Sequence, residues 1–175
     1  MGVPDVPRQN LNELAVANLL VRRTVLIAQA LADAGATFII ENPPDRGDGP
    51  LYQAKFASHA PLWLVPEMVE LVQRTGARMI TFPQCALGSK YQKWTSLLVS
   101  PELEPFLRDL GSLACQHPHG HPAVAVGADS ARAAAYPPEM NRRLAEAFDR
   151  WLAGEVGPGR KRAVEGVRGG QLSQS

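Results

Sequence analysis

An acid and an amide stand side by side at the end of a strand-like run in "TFIIENPPDRG", residues 37–47. Glu41 offers two acceptor oxygens, or a donor when protonated, and Asn42 offers both a donor and an acceptor. Pro43 and Pro44 stiffen the chain behind them and keep the strand from continuing. In open α/β sheets, ligands bind at the carboxyl ends of strands. A rigid polar shelf there suits a planar heterocycle read along its hydrogen-bonding edge. Glu41 and Asn42 are then the catalytic candidates, with Pro43 and Pro44 as their support. The alternative is that the acid and the amide simply open a solvated loop.

A second set lies in "CQHPHGHP", which contains Cys115, His117, His119 and His121. Thiolate and imidazole are ligands that zinc prefers. Four ligands this close in sequence strain a single tetrahedral site unless Pro118 and Gly120 turn the chain. Two of them combined with Cys85 or His59 form a more relaxed set. The alternative is a polar loop whose imidazoles bond to backbone. Cys85, after "FPQ", is also a candidate nucleophile if a basic group such as Lys90 lowers its pKa. Its other reading is a small half-buried thiol at a strand end. Trp63, in "APLWLVPEM", is either a loop anchor or a wall against which a base stacks.

The elements that must position these residues follow from pattern. "NLNELAVANLLVRRTVLIAQALADAG" reads as a helix, capped by Asn10 or Asn12 and stopped by Gly35. Its polar residues Asn18, Arg22, Gln29 and Asp33 form one narrow stripe, which predicts packing on two sides, as against a sheet. "ATFIIEN" reads as a strand covered on both faces. A Gly, Pro and Asp-rich loop runs from Pro43 to Pro61. "PEMVELVQRTG" reads as a helix, "ARMITFP" and "KWTSLLVS" as strands. "PELEPFLRDLG" reads as a short helix with Ser100 as its cap, Pro101 in its first turn and Gly111 at its end. "PPEMNRRLAEAFDRWLAGE" reads as a last helix, with Met140, Leu144, Phe148 and Trp151 or Leu152 as its apolar stripe. The connection between the second and third strands is too short for a crossover helix, which makes them antiparallel neighbours. The expected fold is α/β, with about three main strands, the last antiparallel, and helices packed on the sheet.

The bulk properties set limits. With 175 residues, 45% of them hydrophobic and 20% charged, the chain is long enough for one domain with a real core. Its formal net charge of +1 gives no overall electrostatic footprint for nucleic acid. Two cysteines do not make a disulfide framework, which points to a reducing compartment. No run of about 18 residues is both apolar and free of charge, and no signal peptide is visible, so an intracellular protein without a membrane span is expected. Residues 1–9 and 154–175 read as disordered ends around a domain of residues 10–153. The "GRKR" of the tail is a weak basic patch.

"FIIENP", "PLW", "CALGSKYQKWTSLL", "CQHPHGH" and "YPPEM", in that order, resemble cytosine-5 DNA methyltransferase-like proteins of phage and of algal and protist mobile elements. The resemblance spans Asn10 to Phe148. It implies a partial Rossmann-like methyltransferase domain, S-adenosylmethionine as methyl donor and DNA as partner. In that family a strand ends in Glu-Asn-Val, and the Glu holds a flipped cytosine. Glu41 and Asn42 match the pair, and Pro43 stands for the Val. A rigid shelf fits base flipping, in which the extruded base is read along its hydrogen-bonding edge. The family's next motif corresponds to Leu87-Gly88, then Gln92, Lys93 and Thr95. Its two arginines are absent, so Lys93 offers a point charge for phosphate. Gln92, Lys93 and Lys90 are the nucleic-acid candidates. No Gly-rich donor loop and no Pro-Cys nucleophile precede Phe38. The expectation is a methyltransferase-like fragment, inactive by itself. Its open sheet edge would pair with a partner or a second copy. A non-catalytic nucleic-acid binding or interaction module and a small zinc-stabilised domain are the competing readings.

Overall fold

The most apolar run of the chain becomes its longest helix, α1 (Leu11–Asp33). Among the described residues three short strands follow, β1 (Ile39–Asn42), β2 (Arg78–Pro83) and β3 (Trp94–Val99). Between and after them lie α2 (Pro66–Thr75), α3 (Glu104–Leu107) and α4 (Pro138–Leu152). The computed structural model describes residues 7–57, 60–91, 93–117 and 134–155. His59, Gln92, His119, His121, residues 1–6 and the tail from residue 156 lie outside the described residues. Arg8–Asn10 form a 3-10 turn that runs into α1, and Gly154 and Glu155 still bond back to α4.

The fold is mixed α/β, as the alternation of patterns predicts. The sheet has the order β1-β3-β2, and β3 runs antiparallel to both neighbours. The last strand in sequence is therefore the middle one in space. β1 is shorter than its apolar run, because Thr37 and Phe38 pair with Ser100 beyond the ladder. Ser100 thus does not cap the following helix as expected. Its hydroxyl hydrogen-bonds Thr37 Oγ1, and its carbonyl accepts from Leu103 and Glu104, so the helix starts only at Glu104.

Alternation along the strands divides the core in two. On one face, Ile80, Phe82, Leu97 and Val99 pack with Leu103 just before α3, Leu107 in it, Leu110 in the turn after it and Met140 of α4. On the other, Phe38, Ile40 and Leu98 pack with Val25 and Ala28 of α1 and Met68 and Leu71 of α2. α4 is amphipathic as read, and Trp151, not Leu152, completes its stripe, since Leu152 remains exposed. α2 ends at Gly76, whose φ of 68° is the left-handed conformation that glycine supplies at a helix end.

α1 departs from the two-sided packing expected of it. Only Val25 and Ala28 are buried, while Leu11, Val16, Leu19, Leu20, Leu26 and Ile27 are exposed. The reason is geometric. A helix of 23 residues is about 35 Å long, at 1.5 Å per residue. The strands it accompanies have at most six residues, about 20 Å. By length and composition the helical stretch Arg8–Asp33 is also long and apolar enough to cross a membrane.

These burials predict opposite outcomes for two apolar truncations. Phe82→Ala, at 0% exposure, should cost about 3–5 kcal/mol in urea unfolding. Leu20→Ala, at 62% exposure, should change stability by no more than about 0.5 kcal/mol. Equal costs would contradict the packing of α1.

Candidate functional site

Glu41 is the third residue of β1, and its backbone partner in β3 is Leu97. Its side chain therefore lies on the same sheet face as Leu97 and, diagonally, Thr95. Thr95 is fully buried, and its hydroxyl donates to Glu41 Oε1 at 3.2 Å. The same hydroxyl oxygen accepts from Gln84 Nε2 at 2.6 Å. One Thr95 lone pair is taken by the amide, which turns the hydroxyl proton toward the acid. Tyr136, just before α4, donates its phenol to Glu41 Oε2 at 2.8 Å. Both carboxylate oxygens of this half-buried residue are thus held by neutral donors, and among the described residues each keeps a second acceptor direction. Lys93 Nζ sits 5.2 Å from the centre of the Tyr136 ring, a cation–π distance. Burial, then the hydrogen bond and charge of Glu41, push the Tyr136 phenol up to about 12, so it stays a donor at neutral pH.

Gln84 is fully buried, and its Oε1 has no hydrogen-bond partner among the described residues. It begins the 3-10 turn Gln84–Leu87 that follows β2. Its backbone N–H donates to Lys93 O at 2.8 Å, and its carbonyl accepts from Ser89 N at 3.2 Å. Gly88, at a φ of 94°, closes the turn in a conformation that a side chain would strain. The turn thus ties β2 to the start of β3 and presents the Gln84 amide to Thr95.

The acid and the amide of the proposed shelf are not brought together. Asn42 is paired with Ser96 and lies on the opposite face from Glu41. On that side Thr81 and Ser96 share a hydroxyl–hydroxyl hydrogen bond of 2.7 Å. They border a groove of about 380 Å³ lined also by Pro44, Leu51, Trp63 and Met79. Trp63 is both loop anchor and groove wall, since its Nε1 donates to Pro43 O at 2.9 Å. Pro44 is buried and Pro43 exposed, so the two prolines stiffen the loop over the Asn42 face. Lys90 is exposed on the turn, and Lys93 is half-buried beside Tyr136.

Cys85 follows Gln84 and is 9% exposed. Its neighbours include Cys115 and His117: one ligand atom from each of the three lies within 4.8 Å of the others. Cys115 Sγ and His117 Nδ1 are 3.5 Å apart. Burial, then the hydrogen bond and charge of Cys115, push the Cys85 thiol up to about 11, which disfavours it as a nucleophile at neutral pH. The cluster can hold a metal ion. It joins two of the sequence candidates to Cys85, the relaxed arrangement of the two considered.

No motif in the local sequence marks Gln84 as a participant, and Tyr136 stands out only within "YPPEM". The available signals were an amide directly after a Pro-terminated strand and a tyrosine fixed by two following prolines. Comparison of the chain with protein-family models, with curated proteins and with solved structures returns no match.

The relay from Gln84 through Thr95 to Glu41 makes two predictions. Thr95→Val keeps the shape but strands the Gln84 amide and removes a donor from Glu41. Unfolding should then show a loss of about 1–3 kcal/mol, and a loss below about 0.5 kcal/mol would contradict the relay. In an ultraviolet pH titration, one of the three tyrosines should ionise near 12 rather than 10. The protonated phenol favours the folded state fully below pH 10, and that contribution is lost as pH rises through 12. Glu41→Gln should move this step down toward 10, and an unmoved step would separate Tyr136 from the acid.

Proposed function

We propose that the chain acts on DNA as a cytosine-5 methyltransferase-like protein, with Glu41 holding an unstacked cytosine. One observation carries the reading: a half-buried carboxylate at a strand's end, held on both oxygens by hydroxyl donors. Neutral donors orient an acid without cancelling its charge. The remaining acceptor directions suit the exocyclic amine and the protonated ring nitrogen of cytosine. Thymine would turn a carbonyl oxygen toward the same carboxylate and be repelled. Lys93, close to Tyr136, supplies a positive point charge for a neighbouring phosphate. Asn42 then supports the loop of Pro43 and Pro44 from the other face and does not touch the base.

The ordered motifs support placing the sheet in a Rossmann-like methyltransferase domain. The two cysteines suit a reducing, intracellular setting, and the resemblance implies S-adenosylmethionine as the family's donor. The sequence before Phe38 has no Gly-rich turn after a strand to cradle that donor. No step is therefore assigned to it, and the chemistry ascribed to this chain is the holding of the base. β1 has no second neighbour among the described strands, which leaves its outer edge for a partner or another copy.

A second reading, a small zinc-stabilised domain, is favoured by the grouping of Cys85, Cys115 and His117. It is compatible with the first, because the turn that carries Cys85 also carries Gln84.

Fluorescence anisotropy tests the base-holding role. The probes are short duplexes with cytosine or thymine opposite an abasic site, where flipping costs least. The wild type should prefer cytosine by about tenfold or more, as expected for a charge-assisted hydrogen bond. Glu41→Gln should erase the preference, and Lys93→Ala should weaken both duplexes alike and lower the salt slope by about one. Absence of DNA binding, or a preference that survives Glu41→Gln, would overturn the proposal.

A further inference from the structure

We infer that Cys85, Cys115 and His117 bind a zinc ion that staples residues 113–117 to the turn between β2 and β3, and thereby stiffens the support of Glu41. The inference rests on the zinc-stabilised reading above and adds a ligand set and a role. Its first support is distance. Zn–S bonds of about 2.3 Å and Zn–N bonds of about 2.0–2.1 Å give tetrahedral edges of about 3.8 Å between sulfurs and about 3.6 Å from sulfur to nitrogen. Cys115 Sγ and His117 Nδ1 already stand 3.5 Å apart, and no pair in the cluster exceeds 4.8 Å. Sub-ångström to ångström shifts of side chains bring all three to bonding positions.

The second support is the chemistry of the set. Binding releases one proton from each thiol to solvent and takes the imidazole in its neutral form. Two thiolates then cancel the charge of Zn²⁺, and the neutral centre suits a site in which Cys85 is 9% exposed. Two soft sulfurs and one imidazole favour zinc over the hard, oxygen-seeking cations magnesium and calcium. The three residues fill three of the four positions zinc takes.

The third support is placement. Residues 113–117 have no regular secondary structure. A metal clip between Cys115 and Cys85 closes a long loop, where such a link restricts the unfolded chain most. Cys85 is next to Gln84, whose amide fixes the Thr95 hydroxyl that donates to Glu41. Holding Cys85 therefore holds the turn on which the relay to the acid depends. The three ligands are not proposed to act on a substrate.

The experiment uses the full chain, purified under reducing conditions, with zinc and cobalt as the probes. Elemental analysis should give one zinc per chain. Cobalt should give thiolate-to-metal charge-transfer absorption and the intense visible bands of a tetrahedral ion. Cys115→Ser and His117→Ala should each weaken zinc binding at least a hundredfold, while the neighbouring Gln116→Ala leaves it unchanged. Both altered positions lie at least partly in solvent, so the variants should fold. Zinc should also slow hydrogen exchange at the Gly88 and Ser89 amides, which close the Gln84 turn, at least tenfold. Absence of zinc, or a Cys85–Cys115 disulfide seen by mass as the loss of two hydrogens, would overturn both this inference and the zinc-stabilised reading. Zinc kept by both variants would overturn the ligand set alone. Zinc bound as assigned without slower exchange at the turn would overturn the stapling role.

Discussion

Strand β3 makes backbone hydrogen bonds along both its edges and buries apolar side chains on both its faces. Leu97, Leu98 and Val99 have no exposed surface, and they belong to two separate cores. Neither β1 nor β2 pairs with the other, so the sheet exists only through this strand. The same strand carries Thr95, whose buried hydroxyl must be satisfied in both directions and is met by Gln84 and Glu41. A polar group inside a sheet costs stability unless it is bonded. The sheet therefore needs this relay, and the relay sets the orientation of the acid.

The partners of Glu41 distinguish it from acids such as Glu139 and Glu104. Glu139 is bonded by Arg142 and Arg143, which hold its carboxyl down near 2. Glu104 bonds Arg108. Those acids are spent on cations and stabilise helix faces. Glu41 is held by a threonine and a tyrosine, two neutral donors that fix its position. Lys93 lies over the Tyr136 ring. The turn at Gln84–Gly88 has a comparable double use, presenting an amide to one side and a thiol to the other.

Much of the architecture could be read from the chain. Gly76 and Gly88 stop their elements because each position needs a positive φ, and β-branched runs mark the strands. The short link from Pro83 to Trp94 announces an antiparallel pair. What could not be read depends on contacts distant in sequence. Ser100 looks like a helix cap by its neighbours Pro101 and Glu102, yet it is drawn to Thr37. Apolar residues around α1 announce burial, but the strands are too short to cover the helix. At the site, adjacency misled: Glu41 and Asn42 are neighbours along the chain and therefore opposed across the sheet. Cys85 and Cys115 are thirty residues apart and meet only once the turn and the chain after α3 are in place. Tyr136 reaches Glu41 from the start of α4, a relation that no local spacing encodes.

The pairing of β3 also sets an order of assembly. Pro83 faces Trp94 across a short connection, whereas Ile39 must find Val99 across a far longer stretch of chain. Closing a short loop costs less entropy than closing a long one, and long-range pairings form more slowly. β2 and β3 therefore make a local hairpin into which Gln84 and Thr95 are already built. β1 joins it as a late arrival of only four residues, carrying Glu41 with it. The acid is consequently mounted on the strand whose pairing closes the longer loop, while Thr95 receives it from the local hairpin and Tyr136 from the start of α4.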